Sequence, residues 1–261
     1  MGEFETAVCL GSFIVCLQTW LTWYRDSIIV SRFRSSSLRW VLVSSPVLCL
    51  LIIFLILNIF AASSVRASLF YLGFYLLVGA AWLGLATRLF PFLGVSARDD
   101  AIERGNAASI WAVAGALCGL SFAFAGGNVG EGPGVEAVLF SAALSTALFF
   151  ALWFLLDRLT AINETITIDR SLSTGIRLAG FLIAIGVLSG WSVAGDWVSA
   201  AATVRDFLLS LWPAVACTVV ATIWERALPA SHRGKLMWSL FVSAVYVALA
   251  VAWVLLKGVK G

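Results

Sequence analysis

The sequence predicts an all-α membrane protein of about eight transmembrane helices, arranged as parallel two-helix repeats in one bundle. Three observations predict it. Of 261 residues, 61% are hydrophobic and only 12% charged, with mean hydropathy +1.00; so few charges cannot cover a soluble surface. Apolar runs of about 20 residues, the length that crosses a hydrocarbon core, recur along the chain. A polar-to-small-to-glycine segment occurs twice, 65 residues apart.

The eight spans follow in order. Phe4–Tyr24 is the first, and its Gln18 and Thr19 leave open a placement partly in the membrane interface. It is expected to stay in the mature chain, because Glu3 and Glu5 stand where a signal peptide carries basic residues, and no small-x-small site follows. Trp40–Ala62 is the second; its run Val47–Phe60 lacks the alternation of a barrel strand. Ser68–Gly94, with Pro91 near its end, is the third, Asn106–Gly127 the fourth and Val135–Leu156 the fifth. Ser173–Gly195, Phe207–Trp224 and Leu236–Leu256 complete the set. Three units result: a helix pair in 1–65, a four-helix unit in 66–200 and a helix pair in 201–261.

With eight spans the basic residues divide unevenly. Of the 17 Lys and Arg, 13, from Arg25 to Lys235, fall on one side, and Arg66, Arg205, Lys257 and Lys260 on the other. The positive-inside rule makes the richer side cytoplasmic and leaves both termini outside. The formal net charge of +3 hides this sidedness and gives no reason to expect nucleic acid. Cys9, Cys16, Cys49, Cys118 and Cys217 all lie in apolar spans without a CxxC pair and read as small hydrophobes. Asn163-Glu164-Thr165 matches a glycosylation sequon on the cytoplasmic side and is read as chance.

The repeated segment is DDAIERGNAASIWAVAG at Asp99–Gly115 and, more faintly, ETITIDRSLSTGIRLAG at Glu164–Gly180. Asn106 and Ser171 each stand nine residues before a helix glycine, Gly115 and Gly180. Each unit is two helices joined by a charged loop, so successive units share orientation and an axis along the membrane normal relates them. In the last helix pair Lys235 takes the place of the Asn.

Pro91, the acids Asp99, Asp100 and Glu103, then Gly105, Asn106, Ala108, Gly115 and Gly119 form one motif; Asp169, Gly175, Gly180 and Gly186 echo it. Through these residues Ser68–Trp197 resembles the YjfL-like family of bacterial inner-membrane proteins, the domain of unknown function 350. Ser171 stands where the family prefers Asn, and Phe92 where a His often follows the Pro. The resemblance implies a four-helix unit of two helix pairs, a bacterial envelope setting and partners in membrane-stress or envelope systems. It implies no activity.

Gly105-Asn106 marks a loop turning into a helix. Asn is a strong N-cap, worth about 1 kcal/mol, and Asp99, Asp100 and Glu103 lie near the positive end of the helix dipole. The segment reads first as a capped helix start and second as a helix-terminus ion site. Gly115–Gly119 and Gly186–Gly190 are GxxxG pairs. They fit helix packing within the chain first and a homo-oligomer contact second. Arg177, about one turn into the sixth span, is expected to snorkel to the cytoplasmic face and to pair with Asp157, Glu103 or Asp169. Trp82 and Trp111 are expected to pack within the central unit, while most other tryptophans mark span ends. The glycine-rich segment Gly126–Gly134 reads as a flexible connection.

No Ser/His/Asp set, paired carboxylate or His cluster is visible, and His232 is the only histidine. No enzyme activity, metal or cofactor is therefore expected. The lack of a mid-membrane carboxylate argues against a proton-coupled pump. The expected function is a membrane-embedded interaction subunit of an envelope-associated system; the alternative is a channel or passive transporter for an ion or small solute. Expected partners are the lipid bilayer, a second copy of the chain, or a membrane or cytoplasmic protein, and not nucleic acid.

Overall fold

A computed structural model describes residues 2–29, 38–227 and 235–258. Eight of its helices are long and apolar enough to cross a membrane: Glu3–Ile28, Arg39–Phe60, Leu69–Thr87, Ala107–Gly126, Val135–Thr160, Leu172–Val193, Ala200–Ala227 and Leu236–Lys257. These are the first to eighth spans below. The chain is an all-α, multi-pass membrane protein.

Several ends differ from expectation for local reasons. The third span stops at Thr87; Pro91 then sits at the start of a 3-10 turn, Phe90–Leu93, which Gly94 closes at φ 87°. The seventh span begins at Ala200 instead of Phe207 and breaks at Leu211 into Ala200–Ser210 and Trp212–Ala227. Pro213, which lacks the N–H that would extend the first segment's ladder, stands just past the break. The first span is one helix of 26 residues, about 39 Å at the α-helical rise, which is long enough to cross.

The fourth and sixth spans form the centre, with 78% and 83% of their apolar windows buried, against 6% for the first span and 22% for the eighth. The second span packs on the fourth and the eighth on the sixth, so the even-numbered spans form a row. The third and fifth spans flank the centre, the first lies on the third, and the seventh packs on the fifth and sixth.

The first span is held by tryptophan. Trp20 Nε1 donates to Ala80 O at 3.1 Å, and Trp23 Nε1 to Leu42 O at 3.0 Å. The second bond has a cause in the sequence. Pro46 lies inside the second helix and has no N–H to give the carbonyl four residues back, which is Leu42. Trp23 supplies the missing donor. Trp82 packs inward, with Nε1 on Thr146 Oγ1 at 3.0 Å. Trp111 departs from expectation: it is 36% exposed, on the outside of the fourth span. Cys49 is buried, the other cysteines are half-buried, and all five are free thiols. His232 lies outside the described residues.

Connections gather at two ends of the bundle. At the arginine end the third–fourth connection meets the fifth–sixth connection, through Asn106 and Ile166. At the glycine end three connections meet: Gly130 N donates to Phe60 O at 3.3 Å and Gly195 N to Val129 O at 3.1 Å.

Candidate functional site

The segment from Ser96 to Asn106 folds into a knot at the arginine end. Ser96 caps a short π-helical turn, Ala97–Glu103, and Gly105 then adopts φ 59°, which turns the chain into the fourth span. Asp100 is the buried centre of the knot. Its Oδ2 accepts from Ser96 N at 2.8 Å, its Oδ1 from Arg104 Nη1 at 2.8 Å, and its carbonyl from Asn106 N at 3.0 Å. Asp99 Oδ2 accepts from Ser96 Oγ at 2.9 Å, and Glu103 Oε1 from Arg98 Nε at 2.9 Å. That bond and the Glu103 charge push the pKa of the exposed Arg98 guanidinium above its ordinary value. Each of the three acids thus already accepts hydrogen bonds inside the knot.

Asn106 does more than cap. Its Oδ1 accepts from Ala108 N at 3.0 Å, while its Nδ2 donates across the bundle to Ile166 O at 2.8 Å. Asn163 reaches back: its Nδ2 donates to Leu93 O, its N to Asp157 Oδ1 at 2.9 Å, and its Oδ1 accepts from Trp153 Nε1 at 3.3 Å. The two amides tie the connections together reciprocally. Asn163 is only 3% exposed, so its sequon has no room for a glycan.

The sixth span starts in a related way. Arg170 adopts φ 53°, as Gly105 does before Asn106. Ser171 N donates to Thr165 O at 3.2 Å, the counterpart of Asn106 N to Asp100 O. Ser171 Oγ accepts from Thr174 N at 3.4 Å and pairs with the Thr174 hydroxyl at 2.9 Å. Asp169 is exposed.

Beyond their starts, the fourth and sixth spans touch backbone to backbone. A Cβ on Gly115 would fall 2.4 Å from Ala179 Cα, one on Gly119 2.3 Å from Leu182 O, and one on Gly126 2.3 Å from Gly190 O. Gly186 lies on Gly119, and Gly175 on Ala108, so the two helices run parallel in contact from start to finish. Gly180 serves a different neighbour. Its missing Cβ makes room for Ser243 of the eighth span, 2.5 Å from where it would sit, and Ser243 Oγ donates to Ile176 O at 2.6 Å.

Arg177 overturns an expectation. It does not snorkel, being 2% exposed, and the carboxylate it meets among the described residues is Glu225. Its Nε and Nη2 donate to Glu225 Oε1 and Oε2 at 2.6 and 2.9 Å, its Nη1 to Ser239 Oγ at 2.9 Å, and its Nη2 also to Thr174 Oγ1 at 3.2 Å. One guanidinium thereby joins the sixth, seventh and eighth spans. Reading the seventh span as ending at Trp224 left Glu225 in a loop. The signal was present: Ala214, Thr218 and Ala221 are among the buried positions of Trp212–Ala227, and the same helical step continues to residue 225.

Residues 56–193, more than half of the chain, match the family described as Domain of Unknown Function (DUF350). The chain belongs to that family. No curated protein and no solved structure matches it. The DUF350 region starts inside the second span, earlier than Ser68, and ends with the sixth. It contains the knot, both helix starts and Arg177, whereas Glu225 and Ser239 lie beyond it. The buried ion pair therefore joins the DUF350 region to the last two spans.

At the glycine end a chamber of about 510 Å³ opens between the three connections. The segment read as flexible is pinned there. Glu131 N donates to Asp196 Oδ1 at 2.8 Å, Glu131 Oε1 accepts from Ser63 N at 2.8 Å, and Trp197 N donates to Glu131 O at 2.8 Å. Gly130, at φ 100°, leaves no space for a side chain, since a Cβ would lie 2.4 Å from Gly195 C. Among the described residues, no group of three or more His, Cys, Asp or Glu is placed to hold a metal ion.

Proposed function

We propose that the chain is a non-enzymatic interaction subunit of an envelope-associated system, set in a bacterial cytoplasmic membrane with both termini outside. The observation that carries the reading is the division of labour in the knot. Asp100, Asn106 and Asn163 are buried and locked, while Arg98, Asp99, Glu103 and Arg104 are exposed on that rigid frame. A fixed surface of alternating charge suits recognition of a protein partner, where charge complementarity sets specificity and approach. The lysine and arginine asymmetry supports placing this face in the cytoplasm. The matching hydrogen bonds of Asn106 and Ser171 support a duplicated helix pair at the core.

The alternative is passive conduction. Backbone contact between the fourth and sixth spans leaves no room for a path between them, which favours the subunit reading. The test is affinity purification from native membranes, comparing wild type with the charge-reversed pair Arg98→Glu and Glu103→Arg. A stoichiometric partner lost on reversal supports the proposal. Ion or solute flux through liposomes holding wild-type protein, altered by Asn106→Leu, would overturn it in favour of a channel.

A further inference from the structure

We infer that the seam between the fifth and seventh spans, at the arginine end, binds the headgroup of an anionic phospholipid through Arg158 and Arg226. The inference needs only that these two spans cross a bilayer. It does not depend on the interaction-subunit reading, which rests on the knot.

Both arginines stand in the last turn of their helices, and the two spans pack together. Arg226 Nε donates to Leu159 O at 2.9 Å, which brings its guanidinium to the last turn of the fifth span, where Arg158 also stands. The Arg158 Cζ lies 4.9 Å from the centre of the Phe154 ring, so its side chain folds back one turn along the helix. Both residues are exposed, yet each is held by a contact with the protein.

Neither charge is met by an ion pair among the described residues. Arg25, Arg98 and Arg104, at the same end, each have a carboxylate partner. The carboxylates next to the two arginines in sequence are engaged elsewhere: Asp157 Oδ1 accepts from Asn163 N, and Glu225 binds Arg177. A helix C-terminus alone would repel an anion, because its last carbonyls carry partial negative charge. Arg226 offsets this by donating to Leu159 O, and that bond leaves its Nη groups for an outside acceptor. A guanidinium fork matches the oxygens of a phosphate.

The surroundings select a lipid over a soluble phosphate. Phe154 and Leu155 stand four and three residues before Arg158, and Ile223 three before Arg226, so they share the arginines' helix faces. All three are exposed and offer an apolar strip to an acyl chain. Trp224, two residues before Arg226, stacks on Trp238 of the eighth span at 5.6 Å between ring centroids. Tryptophan favours the headgroup level, which sets the depth of the seam. Basic pockets between membrane helices at that depth bind acidic headgroups.

The test is native mass spectrometry of the full chain in uncharged detergent, titrated with phosphatidylglycerol, phosphatidylcholine or glycerol 3-phosphate. Saturable binding of phosphatidylglycerol is expected, with phosphatidylcholine weaker and glycerol 3-phosphate unbound. Arg158→Gln, which removes no hydrogen bond seen in the fold, should weaken phosphatidylglycerol binding about fivefold, and Arg158→Gln with Arg226→Gln about thirtyfold. Arg88→Gln, an exposed arginine at the same end, should leave it unchanged. Equal binding of the two lipids, unchanged affinity in Arg158→Gln, or an equal loss in Arg88→Gln would overturn the inference. Glycerol 3-phosphate binding as tightly as the lipid would also overturn it, by assigning the arginines to a soluble phosphate.

Discussion

Removing the Glu225 carboxylate should cost more than removing its partner. Arg177 is 2% exposed and the Glu225 side chain 10%. Two charge-assisted hydrogen bonds, at 2.6 and 2.9 Å, join them. Deleting one member of such a pair typically costs about 3–5 kcal/mol, because the other charge stays buried without its counterion. The two deletions are not equivalent. A guanidinium cannot shed its proton, whereas a carboxyl group can take one up and become neutral. Glu225→Ala should therefore lie at the upper end of that range and Arg177→Met below it. The double variant Arg177→Met with Glu225→Leu removes both charges and should recover most of the loss, since apolar replacement of a buried pair is often neutral or better. The assay is reversible unfolding in mixed micelles, arranged as a double-mutant cycle. Hydrogen exchange should show the loss concentrated in the seventh and eighth spans, which the pair anchors. Additive single-variant effects, or a Glu225→Ala cost below about 1 kcal/mol, would refute the reasoning.

Three further outcomes follow from packing and from hydrogen bonds. Gly119→Leu should abolish a folded product in size-exclusion chromatography, because a Cβ there meets Leu182 O at 2.3 Å; Gly73→Ala, with nothing within 4 Å of the added atom, should fold and gain up to about 1 kcal/mol in helix propensity. Asn106→Ala should lose about 1–2 kcal/mol of cap energy in thermal unfolding, and Asn106→Asp should recover only part of it, since Asp keeps the acceptor for Ala108 N but cannot donate to Ile166 O. Trp23→Phe should cost about 1–3 kcal/mol by orphaning Leu42 O, and Pro46→Ala should rescue it by returning a helical N–H to that carbonyl; an unrescued loss would show that Trp23 acts through packing alone.

Composition and run length made the eight spans legible, because a bilayer demands about 20 apolar residues wherever the chain crosses. Asn106 was legible as a cap, because capping depends on neighbours in sequence. What escaped depended on partners far along the chain or on a helix's last turn. Arg177 was noticed, but its partner was hidden by ending the seventh span at Trp224, three residues before its end at Ala227. Asn163 passed for chance, since its role requires Leu93 from another connection to lie beside it. The segment Gly126–Gly134 suggested mobility through its glycines, yet Gly130 is needed for close approach to Gly195. Gly180 matched Gly115 in the repeat, but the structure sets it against the eighth span instead of the fourth.

The backbone contact between the fourth and sixth spans also bears on biogenesis. The two helices are not consecutive: the fifth is inserted between them. During synthesis the fourth span therefore waits in lipid with its glycine stripe uncovered until the sixth arrives. A chain stalled after the fifth span would display that stripe to the bilayer. Its completion would be marked by the burial of that stripe against the sixth span.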